Sequence, residues 1–108
     1  MKIAILGGGF CGVAVCWHLL QMTGSEITLF DPNGIGGGAS GMAAGLLHPY
    51  AGLHAKLNWQ GHEGMQATRE LLKIAENELG IPIADYRGIL RPALSTQQYH
   101  DYKLCATR

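Results

Sequence analysis

Lys2–Leu6 is apolar at every position after its first, the pattern of a parallel strand covered on both faces. From Phe10 to Met22 the chain stays apolar at helical intervals, with Val13, Trp17 and Leu20 on one predicted face and Thr23-Gly24 as its stop. Residues 25–30 predict a second strand, and Asp31-Pro32-Asn33-Gly34 a turn. A glycine- and alanine-rich stretch follows over 34–47, in which 42–47 has helical character before His48-Pro49-Tyr50-Ala51-Gly52 breaks it. Over 58–79 the period is again helical. Ala67, Leu71, Leu72, Ala75 and Leu79 recur every three or four residues, Arg69, Glu70, Lys73, Glu76 and Glu78 are assigned outward, and Gly80 stops the helix. Residues 81–83 are short and extended, and 88–93 predict a strand that Pro92 pushes to an edge. Ser95 caps a last helix over 96–105.

The junctions between these elements carry the chemistry. The first strand runs directly into Gly7-x-Gly9-x-x-Gly12, and nineteen residues after Gly12 the second strand ends at Asp31. Strand, glycine turn, helix, strand and acid in this order form a dinucleotide-binding fingerprint. Gly7 permits the tight turn, Gly9 lets backbone approach a pyrophosphate, and Gly12 lets the helix lie close on the strand. The helix N-terminus then offers N–H groups and a positive dipole end to the phosphates. Asp31 suits the ribose hydroxyls, and its charge disfavours a 2′-phosphate, which ranks NAD or FAD above NADP. A turn-forming role for Asp31 ahead of Pro32 is the plainer alternative.

Composition narrows the field. Eight basic and eight acidic residues in 108 leave no electrostatic footprint for nucleic acid or an anionic membrane. The 16 glycines, roughly twice the usual share, gather near 7–12 and 34–45, where backbone must approach something closely. Cys11, Cys16 and Cys105 fit neither a disulfide framework nor a metal set, which points to reduced thiols and a cytoplasmic setting. Cys11, although placed at a helix N-terminus, reads as a small side chain in a tight loop. His48, His54 and His62 are spaced by six and eight and match no common ligand pattern, so they read as solvent or channel histidines, and no metal is expected. Trp17 and Trp59 read as packing residues. The apolar stretch up to Leu20 contains a glycine triplet and His18, which argues against a signal peptide.

The second glycine cluster favours FAD, because an extended flavin needs a loop and short helix pressed against it. Gly7–Gly12, Asp31, Gly38-Ala-Ser-Gly-Met-Ala-Ala-Gly-Leu46 and Pro49, in that order, resemble the D-amino-acid oxidase family of FAD-dependent oxidoreductases, which includes glycine and sarcosine oxidases. Leu79-Gly80-Ile81 and Gly88-Ile-Leu-Arg-Pro-Ala93 resemble the helix end and first substrate-domain strand of that family. Within it, Ala39-Ser40-Gly41, Gly45 and Pro49 look closest to the FAD domain of bifunctional tRNA wobble-uridine modification enzymes.

The resemblance implies an α/β fold: the N-terminal part of an FAD/NAD(P)-binding Rossmann-like domain over 1–80, and the start of a substrate domain over 81–108. It implies that Gly7, Gly8, Gly9, Phe10, Cys11 and Gly12 line the pyrophosphate and that Asp31 binds the ribose, although many relatives carry glutamate there. Ala39, Ser40, Gly41, Ala44, Gly45 and Leu46 would follow the pyrophosphate, ribityl chain and flavin ring. Met42 and Ala43 stand where some relatives attach FAD through histidine, so non-covalent FAD is implied. The implied activity is oxidation of a CH–NH bond in a small amine or amino acid, with the remaining half supplied in cis or in trans. No catalytic side chain is assigned. The alternative is a non-catalytic nucleotide-binding module or the remnant of a truncated gene. Two convincing strands are few for a doubly wound sheet, and they predict poor stability and an exposed apolar strand edge.

Overall fold

The computed structural model describes residues 1–22 and 24–107. Along the chain these form β1 (Lys2–Leu6), α1 (Phe10–Met22), β2 (Glu26–Phe30), α2 (Ala39–Met42), α3 (Gly61–Leu79) and α4 (Thr96–Ala106). They divide into two compact units, one spanning Met1–Gly45 and the other beginning at Leu46.

In the first unit β1 and β2 pair in parallel, from Lys2 opposite Glu26 to Leu6 opposite Phe30. Backbone bonds extend the ladder at both ends: Glu26 N donates to Met1 O at 3.0 Å and Gly7 N to Phe30 O at 2.8 Å. The exposed Lys2–Glu26 ion pair at the ladder's start adds little. Alternation places Ile3, Ile5, Ile27 and Leu29 on the more covered face, where Ile5 is buried. Ala4, Leu6, Thr28 and Phe30 occupy the opposite face, which is bare: Leu6 is 83% exposed and Phe30 53%. The expected cover on both faces of β1 is therefore met on one face only, because this unit supplies a single crossover helix.

The orientation of α1 also differs from expectation. Gly12, Cys16 and Leu19 are half-buried, whereas Val13, Trp17 and Leu20 are exposed. A segment apolar nearly all round carries no rotational phase in its sequence. Gly12 lies on the half-buried side, where a β-carbon would come within 1.8 Å of Gly7 O and 3.6 Å of an Ile5 methyl.

In the second unit α3 starts at Gly61, after Gln60 in a left-handed conformation (φ 49°). Its half-buried line is Met65, Thr68, Leu71, Leu72, Ala75 and Glu76, while Ala67 and Leu79 are exposed. Gly80 ends the helix at φ 69°, with its N–H bonded to Glu76 O. The outward assignment of Glu76 is overturned: its Oε1 accepts from Ile83 N at 3.0 Å and Ala84 N at 3.1 Å. The carboxylate thereby supplies the partner that a strand would otherwise give to 81–83, which form no regular element. Glu76→Ala should cost about 1 kcal/mol, and native-state exchange should speed up at the Ile83 and Ala84 amides. Unchanged protection there would refute the role.

Residues 88–93 form no strand, contrary to expectation. Pro92 lacks a ladder N–H, and the unit contains no strand among its described residues. Arg91 instead donates to the carbonyls of Tyr50 (3.1 Å) and Gly52, with its guanidinium 5.2 Å from the centre of the Tyr102 ring. Ser95 caps α4 as expected: its Oγ accepts from Gln98 N at 3.2 Å, and buried Gln98 reaches back to accept from Leu94 N at 2.7 Å.

Candidate functional site

The site predicted from the glycine fingerprint lies where β1 turns into α1. Gly7 has φ 106°, a region that L side chains rarely adopt, and a β-carbon built there meets nothing within 4 Å. The space beside Gly7 is open, whereas a β-carbon at Gly9 would lie 2.8 Å from Ser40 Oγ. At Gly12 an added β-carbon would lie 1.8 Å from Gly7 O. The ladder of α1 begins with Val13 N donating to Gly9 O at 3.0 Å. Upstream of it, Cys11 and Gly12 carry first-turn N–H groups at the positive end of the helix dipole.

Asp31 is tied to this turn across 23 residues of sequence. Its Oδ2 accepts from Gly8 N at 2.7 Å and its Oδ1 from Asn33 N at 2.8 Å. These bonds, Gly8 first, hold its carboxyl below the usual carboxylate value. Asp31 is thus a turn former, and it also fixes the end of β2 to the glycine loop. Each oxygen retains a lone pair able to accept a further hydroxyl.

The second glycine cluster docks on the same loop. Gly36 N donates to Gly8 O at 2.9 Å, and Phe10 N donates to Ser40 Oγ, also at 2.9 Å. Ser40 Oγ occupies a first-turn donor of α1, as a phosphate oxygen would at a helix N-terminus. The structure thus joins Gly7, Gly8, Gly9, Phe10, Cys11, Gly12, Asp31 and Ser40 in one corner of the first unit, with Ala39 and Gly41 flanking Ser40 in α2.

The helical expectation for 42–47 is corrected. The short helix is Ala39–Met42, and at Ala43 the backbone turns extended (φ −71°, ψ 149°). Ala44 and Gly45 are exposed beyond it, with Gly45 at φ 68°, and exposed Leu46 begins the second unit. The 34–47 stretch gave no sign that Gly36 and Ser40 would be the anchoring residues. A hydroxyl amid glycine and alanine was the one available hint.

Cys11, Cys16 and Cys105 are free thiols. Among the described residues no group of three or more His, Cys, Asp or Glu is placed to hold a metal. No described helix is long and apolar enough to cross a membrane.

A glycine turn that is open at Gly7, first-turn N–H groups and an acid at the end of the second strand together fit a dinucleotide pyrophosphate and ribose. Residues 2–107 match the family model described as FAD dependent oxidoreductase. The chain belongs to this family. Its cofactor is FAD, and the parallel β1–α1–β2 unit is consistent with the FAD-binding Rossmann-like fold that this oxidoreductase family implies. Over 47 residues the chain is 45% identical to the tRNA 5-methylaminomethyl-2-thiouridine biosynthesis bifunctional protein MnmC of Maricaulis maris (strain MCS10). That match covers 44% of this chain and 8% of the relative's length. No solved structure matches the chain.

Proposed function

We propose that this chain is the FAD-holding portion of an oxidoreductase that oxidises a CH–NH bond of an amine or amino acid. The observation that carries the reading is the bond from Gly8 N to Asp31 Oδ2, which unites the phosphate-facing turn with the ribose-facing acid. In this reading the turn of Gly7, Gly8, Gly9, Phe10, Cys11 and Gly12 lines the pyrophosphate, with the N–H groups of Gly7, Gly8 and Phe10 engaged by Phe30, Asp31 and Ser40, and Asp31 accepts from the ribose hydroxyls. Ala39, Ser40, Gly41, Ala44, Gly45 and Leu46 follow the rest of the cofactor. When bound, FAD accepts the hydride that leaves the carbon beside the substrate nitrogen. The protein's part is to place the cofactor.

Functionally, residues 1–80 belong with the cofactor and 81–108 open a substrate domain, completed in cis or in trans. Attachment is non-covalent, since neither Met42 nor Ala43 has a side chain suited to the covalent bond. The setting is cytoplasmic, in keeping with three free thiols.

A narrower version is favoured by the bifunctional relative, whose name places it in 5-methylaminomethyl-2-thiouridine biosynthesis on tRNA. An aminomethyl side chain belongs to the same CH–NH class. The balanced charge of this chain adds no nucleic-acid footprint, so any tRNA contact would fall to other parts of the protein.

The test is the visible spectrum of the purified protein, before and after acid precipitation. Flavin bands that move into the supernatant are the expected result. Bands that stay in the pellet would refute non-covalent attachment. A colourless protein that takes up no added FAD would refute the whole reading and leave a non-binding remnant.

A further inference from the structure

Apart from the flavin corner, the second unit contains a cavity of about 690 Å³. Its walls come from the loop before α3, the first turn of α3 and one side of α4, and its volume falls in the range of small-molecule sites. Among the described residues Asp101 is the only carboxylate lining it. Both of its oxygens are engaged: Oδ2 with His54 Nδ1 at 2.6 Å, and Oδ1 with Gln97 Nε2 at 3.0 Å. The His54 bond, then the Gln97 bond, hold the Asp101 carboxyl below its usual range, and Lys56 adds a longer-range attraction.

With that carboxylate engaged in the wall, the Lys56 ammonium is the cavity's one cationic side chain among the described residues, beside the His62 ring, the Tyr50 hydroxyl, the Gln97 carbonyl oxygen and the second nitrogen of His54. The Tyr50 ring sets His62 edge-on, with centroids 6.1 Å apart and planes at 78°. Leu57 and Leu104 supply apolar wall.

The loop carrying Tyr50, His54 and Lys56 is braced. Arg91 holds the carbonyls of Tyr50 and Gly52, and Cys105 Sγ lies 3.6 Å from His54 O. The Lys56 ammonium therefore rises from a braced loop, beside a carboxylate whose oxygens are both engaged elsewhere.

We propose that this cavity binds a small carboxylate-bearing molecule with an aliphatic body. Lys56 and His62 take the carboxylate, while Leu57 and Leu104 pack against the body. One ammonium and two imidazoles suit a monoanion; among the described residues the lining has no arginine fork of the kind that favours phosphate. The assignment goes beyond the flavin reading and does not depend on it.

The test is a titration of the full 108-residue chain, without FAD, that follows the ring-proton NMR signals of His54 and His62. Isovalerate is the probe, and isovaleramide and inorganic phosphate are the comparisons. Saturable movement with isovalerate, absent with the amide, is the expected result. Lys56→Gln should weaken isovalerate binding about tenfold, and Lys56→Arg should restore most of it. Lys56 is exposed, and a wild-type circular dichroism spectrum would establish that the variants fold. Equal response to acid and amide, unchanged affinity in Lys56→Gln, or tighter binding of phosphate than of isovalerate would each overturn the proposal. Because no flavin is present, a failure here is distinguishable from a failure of FAD to bind.

Discussion

Gly12→Ala should strip the protein of FAD. The added methyl would sit 1.8 Å from Gly7 O and 3.0 Å from Gly7 C, and neither is a side-chain atom that can swing aside. Relief requires the turn to open. Gly7 N would then be pulled from Phe30 O, and Gly8 N from Asp31. Overpacking of this kind costs about 1–3 kcal/mol, a roughly 5- to 150-fold loss of affinity if borne by the bound state. The upper end is expected here, because the distorted atoms belong to the turn proposed to hold the phosphates. Quenching of FAD fluorescence during titration would measure it. Gly64→Ala is the matched control: it lies inside α3, its new β-carbon meets nothing within 4 Å, and it should stabilise the helix by about 0.5–1 kcal/mol. If Gly12→Ala bound FAD as wild type does, the fingerprint corner would not be the cofactor site.

The second large effect is expected at Asp31→Asn. An amide has one acceptor oxygen, so it cannot serve Gly8 N and Asn33 N as the carboxylate does, and its NH2 would face a backbone donor. FAD affinity should fall about tenfold or more, since the ribose loses an ionised acceptor. The variant also has a pH signature. The folded carboxyl lies below its ordinary value of 3.8. Its contribution to stability is therefore complete above that value and is lost as the pH falls through the lower folded one. The stability gap between wild type and Asp31→Asn should thus be widest near neutrality and close in acid. Asp85 and Asp101 are lowered in the same direction, by Arg87 and His54 respectively, but they are common to both proteins and cancel in the difference. Urea unfolding at a series of pH values would measure the gap. A gap that stays constant into acid would show that Asp31 does not hold the turn through its charge.

Local signals in this chain were legible in proportion to how much of their cause lies nearby. The bounds of β1 and α1, the cap at Ser95 and the stop at Gly80 depend on backbone groups within a few residues, and they stand as the sequence implies. The fingerprint also survives, because its glycines answer short-range demands of the turn at Gly7 and Gly12. Features decided by distant partners were not legible. Glu76 looked solvent-facing until the chain folded back to bring Ile83 and Ala84 under it. His54 showed no ligand spacing, and its partner Asp101 lies 47 residues away. The strand expected over 88–93 had the composition for pairing and no strand of its own unit to pair with. Ser40 was placed near the cofactor by resemblance, whereas its grip on Phe10 N follows from the docking of one glycine segment on another.

The bare side of the β1–β2 pair bears on how the chain is made. Both strands leave the ribosome before everything that follows them, at about 5–20 residues per second. A nascent chain therefore displays Leu6 and Phe30 as soon as the parallel ribbon forms, with α1 against its other side, and the first unit supplies no cover for them. Such a ribbon is an adhesive surface throughout synthesis, and holding chaperones would be drawn to this side of the sheet.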